Sequence, residues 1–149
     1  MLAQDSARRE FRPPEQFRRG VNQAGVVPTN KSDIAAAERA VALGWPGVQP
    51  VISELLEWIQ DYNWPVAHIL APFLASVGRP LAPYLLPIFE GDDELWKYWV
   101  IDAVLAPAPD DLAEEFTPLL VRIADHPTLG ERANELDQVA AAALGRGRN

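Results

Sequence analysis

One pattern written more than once constrains this chain more than any other feature. Leu55-Leu56, Ile59, an acidic turn and Trp64 return as Leu85-Leu86, Phe89, an acidic turn and Trp96. A weaker third copy, Leu119-Leu120, Ile123, Asp125 and the turn His126-Pro127-Thr128, has no tryptophan after it. Repeats of about 30 residues, each large enough for two helices, mark α-solenoids, in which a repeat buries its apolar face only by stacking on its neighbours. The expected fold is all-α, a short solenoid of about three antiparallel helix pairs.

The helical reading follows from spacing and punctuation. Ser32 is placed to cap a helix from Asp33 to Leu43, with Asp33 near the positive end of its dipole and Gly44 as its stop. A second helix is predicted from Val48 to Gln60, with Val51, Leu55, Trp58 and Ile59 on its apolar stripe and Glu54 and Glu57 facing out. Asn63 is expected to cap a helix to Val77, kinked at Pro72. From Pro80 to Glu90 the proline spacing predicts a short, distorted helix. Asp92 or Asp93 should cap the next one, whose Trp96, Trp99, Val100, Ala103 and Val104 form one buried face, leaving Lys97 and Asp102 off it. Asp111 with Glu114, and Thr128 with Glu131, have capping-box spacing. They open helices to Ala124 and from Leu129 to Leu144.

Charge divides the chain. Residues 1–30 carry five arginines against Asp5, Glu10 and Glu15, while the overall net charge is −8, so residues 31–149 hold eighteen Asp and Glu against eight Lys and Arg. An acidic body offers little to a phosphate backbone, whose affinity comes from cations displacing counterions. Nucleic acid is therefore disfavoured, and a basic or neutral protein is the expected partner. The 48% apolar content can build one core in 149 residues. Residues 1–31, rich in Arg, Pro and Gly without periodicity, are expected to be a disordered arm. Residues 32–144 form the predicted domain, and 145–149 a frayed tail. No cysteine is present. No run approaches the roughly 18 apolar residues of a membrane span, and no signal-peptide core opens the chain, so a cytoplasmic, membrane-free protein is expected.

The strings LLEWIQDYNWPVA (Leu55–Ala67), DDELWKYWVI (Asp92–Ile101) and LVRIADHPTLGE (Leu120–Glu131) resemble a family of small bacterial proteins described only as a domain of unknown function with a HEAT-like fold. The resemblance covers roughly residues 33–144 and rests on the patterns WxxDxNWP and DDxxWKYW. It implies a fold. It implies no activity and lends no catalytic residue.

Chemistry is sparse in the sequence itself. His68 and His126 are far apart and neither has a second ligand at helical spacing, so no metal site is expected. His68, one turn after Trp64, reads as a packed or half-buried side chain. Ser53 and Ser76 sit inside predicted helices without a nucleophile motif, and no phosphate-binding glycine loop occurs, so neither a catalytic residue nor a cofactor is assigned. Trp58, Trp96 and Trp99 read as core, and Trp45 and Trp64 as turn packing beside prolines. Stacked repeats would align Asp61, Asp92, Asp93, Glu94 and Asp125 as an acidic ridge beside Tyr62 and Tyr98. That ridge is the candidate partner-binding site of a non-enzymatic adaptor, or of an inhibitor or immunity-type protein. The competing class is a HEAT-like enzyme acting on a nucleobase, as DNA glycosylases do, and it would need a basic groove that this composition does not favour.

Overall fold

The computed structural model describes residues 25–145, which form eight α-helices and, among the described residues, no strand. Helix α1 (Ile34–Leu43) is capped by Asp33 rather than by the expected Ser32. Asp33 accepts from the Ala36 amide at 3.3 Å and, on its other oxygen, from the amide and hydroxyl of Thr29 at 2.9 and 3.0 Å. These bonds, the Thr29 amide first, hold its carboxyl below the usual range. Gly44, at φ 73°, ends the helix as expected.

The predicted helix from Val48 to Gln60 is shorter than its stripe suggested. A 3₁₀ turn (Gln49–Val51) leads into α2 (Ile52–Glu57), and the chain leaves the helix at Trp58. Helix α3 (Pro65–Val77) starts with Trp64, not Asn63, at the cap position and Pro65 in its first turn, where a missing N–H costs nothing. At Gly78, with φ 80°, the axis turns by 110° into a second 3₁₀ turn (Arg79–Leu81) and α4 (Ala82–Glu90). A side chain there would meet the Asp111 carboxylate at 3.2 Å, so both backbone and space call for glycine.

Asp93 caps α5 (Glu94–Trp99) by accepting from the Trp96 amide at 3.1 Å. The helix then widens into a π-helical turn (Val100–Leu105), closed by a bond from the Ala106 amide to the Ile101 carbonyl. Helix α6 (Asp110–Asp125) has Pro109 at its cap position and no side-chain cap. The Asp111–Glu114 capping box is thus replaced by Asp110 and Asp111 in the first turn, where they complement the helix dipole. The Thr128–Glu131 box forms in full and opens α7 (Leu129–Ala133). The single last helix is corrected to two: Glu135 adopts left-handed φ 62°, which interrupts the ladder before α8 (Leu136–Ala143).

Helix α1 packs on α3, α3 on the π turn, the π turn on α8, and α8 on α6. One core runs through them, with Leu55, Leu70, Leu85, Ile101, Leu112 and Leu136 fully buried. The core also takes in Val26, which is 3% exposed. The Val66 amide bonds to the Lys31 carbonyl at 3.1 Å, and Arg39 Nε to the Gly25 carbonyl at 2.9 Å. Over residues 25–31 the expected arm is therefore packed chain, because Val26 supplies apolar surface that periodicity could not flag. Residues 1–24 and 146–149 lie outside the described residues, and with them the rest of the arm and most of the tail. Among the described residues no single helix is long and apolar enough to cross a membrane.

Candidate functional site

The turn between α2 and α3 gathers a run of aromatic contacts. Asp61 accepts from the Asn63 amide at 2.9 Å, and the Trp64 amide bonds to the Asp61 carbonyl, which folds the turn tightly and lays the half-buried Tyr62 against the core. Tyr62 stacks on His68 of α3 with ring centres 4.3 Å apart, and on Trp99 at the end of α5 at 5.6 Å. Trp99 meets Tyr98 edge to face at 5.0 Å. His68 is exposed, a correction to its packed or half-buried reading: one face lies on Tyr62 and the rest reaches solvent.

Beside Tyr62 an open groove of about 540 Å³ is walled by Pro72, Ser76, Asp102, Pro107 and Pro109. Local sequence explains its shape. Pro72 lies inside α3 without an N–H to give to the preceding turn, and the π turn rotates Asp102 and Ala103 toward the groove. The Trp99 indole N–H is buried and unpartnered.

The tryptophans assigned to the core are half-buried. Trp96 acts as a strut: its indole N–H donates to the Leu56 carbonyl at 3.1 Å, tying α5 to the C-terminal end of α2. The Leu56 carbonyl, which already accepts from the Ile59 amide at 3.0 Å, takes the indole as a second donor. Trp45 joins Pro46 through a cis peptide and packs on the core edge.

Lys97, expected off the buried face, is 6% exposed. Its Nζ lies 3.1 Å from Glu94 Oε1 without hydrogen-bond directionality, so the pair is an electrostatic contact. Glu94 Oε2 in turn sits beside Gly130, and a second pair adjoins it: Arg122 donates to both oxygens of Glu131, at 2.6 and 2.8 Å. Glu131 also takes the Thr128 amide at 2.9 Å. The Arg122 bonds hold the Glu131 carboxyl below the usual range and raise the Arg122 guanidinium above its own.

The ridge residues are therefore not alike. Tyr62 and Tyr98 are brought together through Trp99. Asp61 and Asp93 are engaged in local caps, which leave carboxylate surface in water, and Glu94 is drawn into the cluster with Lys97. Asp92 and Asp125 are exposed, before α5 and at the end of α6. Sequence reasoning missed a smaller pocket on the other side of the same turn, of about 180 Å³, between Trp58, Trp64 and Glu54. Glu54 was expected to face out and is half-buried, and that burial pushes its carboxyl pKa up. A carboxylate one turn before a tryptophan on a short helix was the only signal available. Among the described residues no group of three His, Cys, Asp or Glu could hold a metal ion.

Over residues 26–144 the chain matches the family described as Domain of unknown function (DUF5071). It belongs to the DUF5071 family. The match starts at Val26, the first buried core residue among the described residues of the DUF5071 domain. No curated protein matches the chain.

Proposed function

We propose that this DUF5071 domain is a non-enzymatic protein-binding module, built as a short HEAT-like repeat and recognising a basic or neutral protein segment. Support for the repeat comes from alternate packing. Helices α1, α3, α5 with its π turn, and α8 contact one another in succession. On the other side Gln49 bonds to Tyr84 of α4, and Phe89 of α4 meets Phe116 of α6. Two such rows are what stacked helix pairs produce.

The observation that carries the binding reading is the groove beside Tyr62. It combines Tyr62, whose ring is held by stacking on His68 and Trp99, with proline walls and Asp102 in a body of strongly negative charge. Tyrosine and tryptophan supply rigid contact area and concentrate at interface hot spots. Carboxylates at Asp61, Asp92, Asp93 and Asp125 add a field that speeds the encounter with a cationic partner more than it tightens the final complex.

The test is surface plasmon resonance with proline-containing synthetic peptides graded from cationic to anionic, across a salt series. Cationic peptides should bind, and replacing Asp61, Asp93 and Asp125 together with Asn should lower their association rate. That effect should shrink as salt shortens the Debye length to about 8 Å at physiological strength. Asparagine retains the cap and turn bonds, so the variant should stay folded. Equal binding of anionic peptides, or an unchanged association rate in the folded variant, would refute the proposal.

A further inference from the structure

The Trp58–Trp64 pocket shares no lining residue with the groove beside Tyr62 and has a different chemistry. Its two indoles touch edge to face, with ring centres 5.6 Å apart and planes at 69°, so together they form a corner against which a group can seat rather than a slot that holds one between them. Glu54 and Glu57 stand on the same side, and Val27 and Pro28 from the chain before α1 complete the wall. At about 180 Å³ the space is well below the roughly 300 Å³ at which drug-sized pockets begin. It holds one compact group.

We propose that this pocket binds an alkylammonium group, with the indoles supplying cation–π attraction and Glu54 the counter-charge. An indole face attracts a cation through its quadrupole, and the attraction grows when the cation is desolvated. Two indoles alone would suit any apolar group of this size. Glu54 decides otherwise. It is half-buried, burial is the sole cause that displaces its pKa, and no hydrogen bond or ion pair to it exists among the described residues. Partial desolvation of a carboxylate is unfavourable by itself, and a cation seated between Glu54 and the rings would offset it. A guanidinium fits less well: its planar fork seeks bidentate carboxylate geometry, whereas a corner between ring planes at 69° suits a compact, rounded head. The cation can belong to a free quaternary amine or to a lysine side chain of another protein. The recognition chemistry is the same.

The test is an NMR titration of the full chain that follows the Trp58 and Trp64 indole N–H resonances, assigned with Trp58→Phe and Trp64→Phe variants. The probes are tetramethylammonium chloride, a short peptide carrying one trimethyllysine, and neutral 3,3-dimethylbutanol, all at matched ionic strength. At least one of the two cations should give saturable shifts confined to these two indoles, and the neutral compound should give at least about tenfold weaker binding, the loss expected from removing cation–π attraction and a desolvated charge pair. Saturation by the peptide alone assigns the ammonium to a protein side chain, and saturation by tetramethylammonium as well assigns a free amine. Glu54→Gln, nearly isosteric and checked for fold by circular dichroism, should weaken cation binding several-fold and leave the neutral probe unchanged. Equal response to the neutral compound, no saturable shift with either cation, or undiminished binding in folded Glu54→Gln would each overturn the proposal.

Discussion

Replacing Trp96 separates two contributions that the structure combines in one side chain. The ring is half-buried against the core, and its indole N–H donates to the Leu56 carbonyl at 3.1 Å across 40 residues of sequence. Trp96→Phe keeps most of the apolar contact and removes the donor. The Leu56 carbonyl still accepts from the Ile59 amide at 3.0 Å, so it is not orphaned, and the loss should stay near the net worth of one hydrogen bond, about 1 kcal/mol. Trp96→Ala removes the ring as well. Emptying a fully buried aromatic site costs about 3–5 kcal/mol, and half-burial places this one at the low end, about 3 kcal/mol. Urea unfolding followed by far-UV circular dichroism reads both. With a slope of about 2 kcal/mol per molar for a domain of this size, the midpoint should fall by about 0.5 M for Phe and about 1.5 M for Ala. If Phe costs as much as Ala, ring burial is not what Trp96 contributes. If Ala is neutral, the strut between α2 and α5 does not exist.

Two further outcomes follow from local geometry. Because Arg122 holds the Glu131 carboxyl below the usual range, the pair contributes stability that is complete above the ordinary value of 4.5 and is lost as pH falls through the depressed folded value. Glu131→Gln should therefore cost about 1–2 kcal/mol at neutral pH, discounted because the Arg122 side chain is 43% exposed. The gap to the unmodified chain should close in acid, and a gap independent of pH in parallel urea titrations would show that the ion pair is not its origin. Separately, a chain starting at Ser32 loses Val26 from the core and the Lys31 carbonyl from the start of α3. Relative to one starting at Gly25 it should melt about 8 °C lower, from roughly 2 kcal/mol of lost burial, and equal melting in calorimetry would return residues 25–31 to the status of an arm.

How far the sequence could be read depended on the range of each signal. Helix content, the proline-distorted segment at 80–90 and the Thr128–Glu131 box were legible because short-range rules govern them: apolar spacing, ring sterics and reciprocal capping act within a few residues. The break at Glu135 was not, since Asn134-Glu135 contains neither glycine nor proline and a left-handed residue leaves no pattern in a polar stretch. Val26 was hidden for a related reason, because a single apolar residue in an extended lead-in has no period. Lys97 and Glu54 failed in a more informative way. Helical periodicity sorts positions into inner and outer faces, and both charged residues fall on what it labels outer. An outer face of one helix becomes an inner wall wherever another segment lies across it, as the start of α7 at Gly130 and Glu131 does beside Glu94 and Lys97 of α5, and Val27 and Pro28 do for the Glu54 pocket. Those are long-range contacts, which a single sequence does not encode locally. Burying a charge there is unfavourable unless something opposes it. Lys97 has Glu94 at 3.1 Å, whereas Glu54 has no such partner among the described residues, and this difference singles out the Trp58–Trp64 pocket as the place where the folded domain is prepared to receive a cation.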